Sequence, residues 1–119
     1  MVRLDPQIAL LARLVGVARL RTEVIAHNVA NVNTPGHQCL QVQFEDALAR
    51  ALDRGDAMRA AQLTPQVVEG GGGTLRADGN NVDIDLELGR LQKNSLLAEL
   101  YTQLMSVRMA QYRSAIQGR

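Results

Sequence analysis

Hydrophobic residues recur at helical spacing near both ends of the chain and alternate only in a short stretch between them. In the first part, the apolar positions advance in steps of four and three, with Thr22 as the one polar member: Leu4, Ile8, Leu11, Val15, Ala18, Thr22, Ile25, Val29 and Val32. A second row, Leu10, Leu14, Val17 and Val24, widens the same face. This spacing is typical of a heptad seam, and it predicts a long amphipathic helix.

The sequence also predicts where this first helix begins and ends. Asp5 suits the N-cap position and Pro6 the first helical position, so we expect the helix to begin there. Pro35 excludes Thr34 from the helical region of backbone conformation, so the helix must be over by Thr34. We expect its last turn at about Asn31.

The stretch after the helix combines closely spaced asparagines with a Pro-Gly pair. Asparagine competes for backbone partners and tolerates left-handed conformations, so it suits a helix C-terminus. Pro followed by Gly fits the two central positions of a type II turn. We therefore predict a helix stop and turn formed by Asn28, Asn31, Asn33, Thr34, Pro35 and Gly36. Taken alone, the same residues also fit an ordinary junction between a helix, a turn and a strand.

A second heptad pattern fills the last third of the chain. Its seam is Ile84, Leu88, Leu91, Ser95, Ala98, Thr102, Met105, Met109, Tyr112 and Ile116, and a second row is Leu97, Leu100, Leu104 and Val107. Acidic residues around Asp83 suit the positive end of a helix dipole, and Arg108 and Arg113 suit its negative end. We expect a helix from about Asp83 to about Ile116.

The middle of the chain predicts shorter elements. Leu40, Val42 and Phe44 alternate with two glutamines, which favours a strand or extended arm with one apolar face. Residues 44–54 fit a short helix ended by Gly55, with residues 58–63 as a candidate extension, and residues 64–69 favour extended backbone. The four glycines at 70–73 predict a flexible linker, and residues 78–81 (Asp-Gly-Asn-Asn) predict a turn.

These elements predict a mainly α fold in which the two terminal helices pack as an antiparallel coiled-coil-like pair. We divide the chain into residues 1–36, residues 37–82 and residues 83–119. Two helices with such wide apolar faces cannot hide them from water as an isolated pair, so we expect partner helices. The assembly seam that we predict comprises Ile8, Leu11, Val15, Ile25, Val29, Leu88, Leu91, Leu100, Leu104, Met105, Met109, Tyr112 and Ile116. A plain bundle that closes on itself is the alternative, but only a short third helix is available for it.

Composition and charge disfavour several classes of function. Aromatic residues make up 3% of the 119 residues and Trp is absent, which disfavours a small-molecule pocket. Thirteen basic and twelve acidic residues give a net charge of +1 without local bias, which disfavours a nucleic-acid surface. The single cysteine cannot form an internal disulfide. Charges interrupt the first apolar run, so we expect neither a cleaved signal peptide nor a membrane span.

Candidate chemistry is sparse. His27, His37 and Cys39 are too few and poorly spaced for a metal site, and a Cys-His nucleophile pair is the only enzymatic hypothesis they leave. The acidic stretch 78–87 lacks the upstream ligands of a calcium loop, and the glycines at 70–73 lack the Gly-Lys-Ser/Thr of a phosphate loop. We expect no catalytic residue, cofactor or metal.

The asparagine-rich stretch carries a resemblance. Residues 28–37 (Asn-Val-Ala-Asn-Val-Asn-Thr-Pro-Gly-His) resemble the N-terminal signature of the flagellar axial family of rod, hook and hook-associated proteins. Residues 78–85, 93–96, 102–104 and 113–116 resemble the proximal rod members of that family. The resemblance covers roughly residues 5–45 and 77–116. His37 stands where the family commonly has Tyr or Phe, and Cys39 where a small residue is frequent.

The resemblance implies a structural subunit of the proximal rod of the bacterial flagellar basal body, without enzymatic activity or cofactor. It implies type III export without a cleaved signal peptide, a place on the periplasmic side of the inner membrane, and helical assembly for motility. The implied partners are copies of the chain, other rod proteins, the adaptor FliE, the membrane ring protein and the export gate. A soluble helical adaptor or chaperone of a type III secretion apparatus shares the long helices and is the alternative.

Overall fold

The computed structural model describes residues 5–118, and two long helices dominate it. In chain order the elements are α1 (Pro6–Ala30), β1 (Leu40–Gln43), α2 (Glu45–Asp53), α3 (Ala57–Gln62), β2 (Gln66–Glu69) and α4 (Ile84–Gln117). α1 and α4 pack against each other, and the strands form a small sheet beside them. The predicted mainly α architecture is confirmed, and α4 accounts for the length of a molecule that measures 64 × 27 × 22 Å.

The caps of both long helices follow the sequence prediction. The Asp5 carboxylate accepts a hydrogen bond from the backbone N–H of Gln7, and Pro6 opens α1. The Asp83 carboxylate accepts from the N–H groups of Asp85 and Leu86 and so caps α4. Such caps satisfy backbone donors that have no partner inside the helix. The predicted seam position Leu4 lies outside the described residues.

The middle of the chain is a β-hairpin arm with two short helices in its loop. β1 and β2 are antiparallel, with Leu40 opposite Glu69 and Gln43 opposite Gln66. The alternation around Val42 therefore predicted β1 correctly. The apolar face of the arm packs on the second row of α1, in a core of Val17, Val24, Val42 and Phe44 with Leu14, Leu20, Leu40, Leu48 and Leu63 around it.

The loop of the arm differs from the prediction in one respect. α2 ends where Gly55 adopts a positive φ of 68°, as expected. Residues 58–63 do not extend α2, because Asp56 begins a new helix by accepting a hydrogen bond from the N–H of Arg59 at 2.9 Å. The capping side chain makes α3 a separate element.

The four glycines after β2 are packed, so the prediction of a flexible linker was wrong. The Gly70 N–H donates to the carbonyl of Cys39 at 2.9 Å, and the Gly73 N–H donates to the carbonyl of Asn81 at 2.8 Å. A Cβ atom at Gly72 would lie 2.9 Å from the backbone carbonyl oxygen of Asn81. Glycine is needed here because other parts of the chain approach the backbone closely.

The face of α4 that meets α1 shares Leu91, Ala98 and Met105 with the predicted seam and includes two polar residues that the apolar pattern did not place there. Its buried positions are Glu87 and Asn94, and the line continues through the half-buried residues Leu91, Ala98, Tyr101, Met105 and Arg108. Leu88, which the apolar pattern placed on the seam, is 49% exposed. Glu87 and Asn94 can be buried on this face because their polar side chains find hydrogen-bond partners in other elements.

Candidate functional site: an asparagine-rich junction and an exposed helix face

The end of α1, the start of β1, the loop before α4 and the first turn of α4 meet at one place. We call it the asparagine junction and define it by Asn28, Asn31, Asn80, Asn81 and Glu87. It includes two of the predicted stop residues, together with three residues whose role the sequence did not reveal.

Several of the residues predicted for the helix stop lie at the end of α1 and in the turn after it. Asn31 is the C-cap of α1, and its side-chain amide donates to the carbonyl of His27 at 2.8 Å. The Thr34 hydroxyl donates to the side-chain oxygen of Asn31 at 3.1 Å. The turn that follows closes through His37 N–H and the Thr34 carbonyl at 3.2 Å, with Gly36 at a φ of 77°.

The reason that Asn31 suits this position differs from the one expected. Among residues 5–118, only glycines have a positive φ, and Asn31 has a φ of −104°. It therefore ends the helix by back-bonding and by receiving Thr34, and a left-handed backbone is not involved. Asn33 and Pro35 are exposed around the turn.

Asn28 does not take part in ending the helix, which corrects its predicted role. It lies inside α1 and is fully buried. Its amide nitrogen donates to the carbonyl of Leu40 at 2.8 Å, and its amide oxygen accepts from the N–H of Leu40 at 2.9 Å. One side chain thus pairs both backbone groups of the first residue of β1, as a neighbouring strand would. Asn28 fixes the start of the hairpin arm to α1.

The loop before α4 binds the helix stop from the other side. Asn80 is fully buried and donates to the carbonyls of Asn31 and Thr34, each at 2.9 Å. Asn81 accepts from the N–H of Cys39 at 2.7 Å. The sequence predicted only a turn here, and the recurrence of asparagine pairs near both long helices was the signal that could have linked them.

Two glycines allow the turn after α1 and the loop before α4 to contact each other. The Gly36 N–H donates to the carbonyl of Asp78 at 2.9 Å. A Cβ at Gly79 would lie 3.4 Å from the Cα of Gly36, and Gly79 has a φ of 83°. Both positions therefore require the left-handed backbone that glycine adopts without strain.

Glu87 joins α4 to the junction. The residue is 1% exposed, and its carboxylate accepts from Asn28 at 2.9 Å and from the guanidinium of Arg90 at 2.5 Å. A buried carboxylate is costly unless it is paired and hydrogen-bonded, and both conditions are met here. Glu87 thus connects the first turn of α4 to α1.

Two further polar contacts set the register of α4 against α1. Asn94 donates to the carbonyl of Ala18 at 2.7 Å and to the hydroxyl of Thr22 at 3.0 Å. This contact explains why Thr22 interrupts the apolar seam of α1. At the other end of α1, Arg108 and Asp5 form an ion pair at 3.5 Å.

Comparison with known proteins shows the family to which this chain belongs. The family described as "Flagella basal body rod protein" matches residues 18–38, which span the second half of α1, the stop and the turn. The flagellar basal body rod protein FlgB of Borrelia hermsii is 33% identical over 112 residues, covering 79% of this chain and 83% of the relative. The chain belongs to the FlgB family of flagellar basal body rod proteins.

Other FlgB proteins agree. That of Escherichia coli K12 is 32% identical over 108 residues, covering 72% of this chain and 75% of the relative. That of Bacillus subtilis strain 168 is 24% identical over 110 residues, covering 85% of each chain. As a member of the FlgB family, the chain is a structural protein of the flagellar basal body and not an enzyme.

The cysteine of this FlgB-family chain has a structural environment. Cys39 is 1% exposed, and its thiol lies 3.6 Å from the Glu87 carboxylate, to which it donates. Burial, and then the nearby negative charge of Glu87, raise the pKa of the Cys39 thiol above its ordinary value. A nucleophile needs the thiolate, so this environment opposes the Cys-His hypothesis. The ring of His37 lies against His27, with centroids 5.4 Å apart.

The residues of the predicted assembly seam differ in their exposure to solvent. Ile8 and Ile25 are buried within the chain. Half-buried members are Leu11, Val15, Val29, Leu91 and Met105. Exposed members are Leu88, Leu100, Leu104, Met109, Tyr112 and Ile116, all of them on α4. The exposed part of the predicted seam therefore lies on the last helix.

Proposed function

We infer that this chain is a structural subunit of the proximal rod of the flagellar basal body and assembles there with copies of itself and with other rod components. Membership of the FlgB family carries the inference. The same membership gives no support to the alternative of a soluble adaptor or chaperone. The assembled rod would link the membrane ring and export gate to the rest of the flagellum for motility.

The exposed face of α4 is the surface that we assign to assembly. On one side of α4, Leu100 is 48% exposed, Leu104 46% and Val107 56%. Leu97 lies next to them and is half-buried. A contiguous exposed apolar patch on a helix marks a protein interface, and coiled-coil packing is the common way to cover one. We therefore propose that α4 packs against helices of neighbouring subunits in the rod wall.

The asparagine junction has a different role in this proposal. Asn28 ties the hairpin arm to α1, and Asn80 and Glu87 tie α1 to the loop and first turn of α4. The predicted stop residues, together with the close contact between Gly36 and Gly79, set the angle between the hairpin arm and the two long helices. A fixed angle lets every subunit present the arm to its neighbours in the same way.

Export and location follow from the same proposal. We propose that the chain passes unfolded through the type III apparatus without a cleaved signal peptide and acts on the periplasmic side of the inner membrane. A chain whose single cysteine cannot form an internal disulfide fits passage in unfolded form. No helix in the described part of the chain has the length and apolar character that a membrane span requires. The adaptor FliE, the membrane ring protein and the export gate are the further partners that we propose.

Deletion of the gene in the source bacterium, followed by electron microscopy of isolated basal bodies, tests the proposal. We expect membrane rings that lack the rod and the hook, and restoration of both by the native chain. A Cys39→Ser variant is the control for the enzyme hypothesis, and we expect it to restore assembly as well. Intact rods in the deletion strain would contradict the proximal assignment.

A further inference from the structure

The two strands of the hairpin arm differ at their outer edges. Along β1, the edge that faces away from β2 is occupied by α1. Asn28 pairs both the N–H and the carbonyl of Leu40, and the Arg21 guanidinium donates to the carbonyl of Val42 at 3.1 Å. Leu40 and Val42 therefore direct their backbone groups towards α1 and away from β2.

The outer edge of β2 is open. Glu69 lies opposite Leu40, and Val67 lies opposite Val42. Two opposite residues of a non-hydrogen-bonded antiparallel pair turn their N–H and C=O groups away from each other, so the groups of Val67 and Glu69 point away from β1. Among residues 5–118, none of these four groups has a hydrogen-bond partner. A strand edge with unpaired backbone groups is a template for a further strand.

The side chains along this edge indicate what kind of strand fits it. Val67 is 45% exposed and lies on the same face of the sheet as Val42, which belongs to the core. An apolar side chain beside Val67 would continue that core. Glu69 is exposed, and no basic group of the described chain lies within 4 Å of its carboxylate. A charge on a short edge strand disfavours indiscriminate pairing, so the strand that fits carries a basic residue beside Glu69.

We propose that, in the assembled rod, an extended segment of a different rod protein adds to the free edge of β2 as a third strand. The proposal rests on the assembly role inferred above and names a surface of the hairpin arm that takes part in it. The added segment carries an apolar and a basic side chain two residues apart, next to Val67 and Glu69. Backbone hydrogen bonds supply the pairing and the two side chains supply the specificity, as is usual where a peptide extends a sheet.

A second copy of this chain fits the edge less well. Pairing β2 with the β2 of another copy about a two-fold axis would bring the two Glu69 carboxylates to neighbouring positions without a cation, which is destabilising. Such a contact would also close into a dimer, whereas a rod needs contacts that propagate. β1 cannot be the added strand, because α1 and β2 already occupy its two edges.

A proline tests the edge because the N–H of Val67 points outward. Val67→Pro removes that donor and blocks the added strand, but it takes no hydrogen bond from the pairing of β1 with β2. The matched control, Val67→Ala, shortens the same side chain and keeps the N–H. We expect the two variants to unfold at the same urea concentration. In a strain that lacks the gene, we expect rods with Val67→Ala and loss of rods with Val67→Pro, and equal numbers of rods would overturn the proposal.

Photo-crosslinking identifies the occupant and does not depend on the folding of the proline variant. The full chain carries p-benzoylphenylalanine in place of the exposed Gln66, and isolated basal bodies are irradiated. We expect the 13.0 kDa band to shift by the mass of another rod protein. A shift to twice its own mass, or rods without any shifted band, would overturn the proposal and leave the assembly role standing. Absence of rods with the native chain restored would instead count against the assembly role itself.

Discussion

The side chains at the two ends of α4 differ in polarity and in burial. At its start, Glu87 and the nearby Asn80 are buried, and their polar groups find partners within the same chain. At its end, Met109, Tyr112 and Ile116 are apolar and exposed. Polar groups that are buried and paired fix one arrangement, whereas exposed apolar groups gain stability only from another surface. The start of α4 is therefore stabilised by contacts within the chain, whereas its end requires contact with another surface.

The largest effect on stability should follow from removing the amide that fixes the arm. Asn28→Ala leaves the N–H and carbonyl of Leu40 without their partner and removes one donor from Glu87. Each buried polar group left unpaired costs about 1–3 kcal/mol, so we expect a loss of roughly 3 kcal/mol or more in the free energy of unfolding. Urea unfolding followed by circular dichroism measures it.

The neighbouring asparagine supplies the control for that experiment. Asn33 is exposed, and we expect Asn33→Ala to change the free energy of unfolding by less than about 0.5 kcal/mol. Equal effects of the two substitutions would show that the buried hydrogen bonds of Asn28 contribute nothing to the free energy of unfolding. That result would contradict the claim that the asparagine junction is stabilised by its own buried hydrogen bonds.

A smaller effect is expected at the contact between the two turns. Gly79 has a φ of 83°, a conformation that costs an alanine about 1–2 kcal/mol. We expect Gly79→Ala to lower the free energy of unfolding by about that amount. Gly16, in the middle of α1 with open space around its Cβ position, is the matched control. There, alanine should stabilise the chain by about 0.5–1 kcal/mol, and the opposite sign at either position would contradict the backbone argument.

The smallest effect concerns the ion pair at the base of the arm. Its hydrogen bond to Arg21 lowers the pKa of the Glu45 carboxyl below its usual value. A lowered folded-state pKa contributes stability that is present above the unfolded pKa and is lost as the pH falls through the folded one. The Glu45 side chain is 57% exposed, so solvent screens the pair and the effect is small. Urea midpoints measured from pH 7 downwards should fall less steeply in Glu45→Gln than in the native chain, and identical slopes would contradict the pairing.

The sequence predicted the elements well where the signals are local. The caps Asp5 and Asp83 act on the first turn of their own helices, and the alternation around Val42 reports a strand directly. The junction could not be predicted in the same way, because Asn28 meets Glu87 across 59 residues and Asn94 meets Ala18 across 76. A count of apolar positions treats such residues as surface, and for this reason it missed Glu87 and Asn94 on the face of α4 that meets α1.

The exposed seam residues remain a prediction, because exposure in a single chain shows which surface is available but not what covers it. The buried members Ile8 and Ile25 already have a function inside the chain. Substitutions at the exposed Met109 and Ile116 therefore distinguish assembly from folding, whereas substitutions at Ile8 and Ile25 would disturb both.

Sedimentation velocity at rising protein concentration, on the native chain and on a Met109→Ser, Ile116→Ser variant, tests the central claim most directly. Because both side chains are exposed, the variant should unfold at the same urea concentration as the native chain. The native chain should form a growing series of species without a fixed end, and the variant should stay at the 13.0 kDa monomer. A variant that assembles like the native chain, or a native chain that stops at one closed oligomer, would contradict the claim that the exposed end of α4 drives assembly.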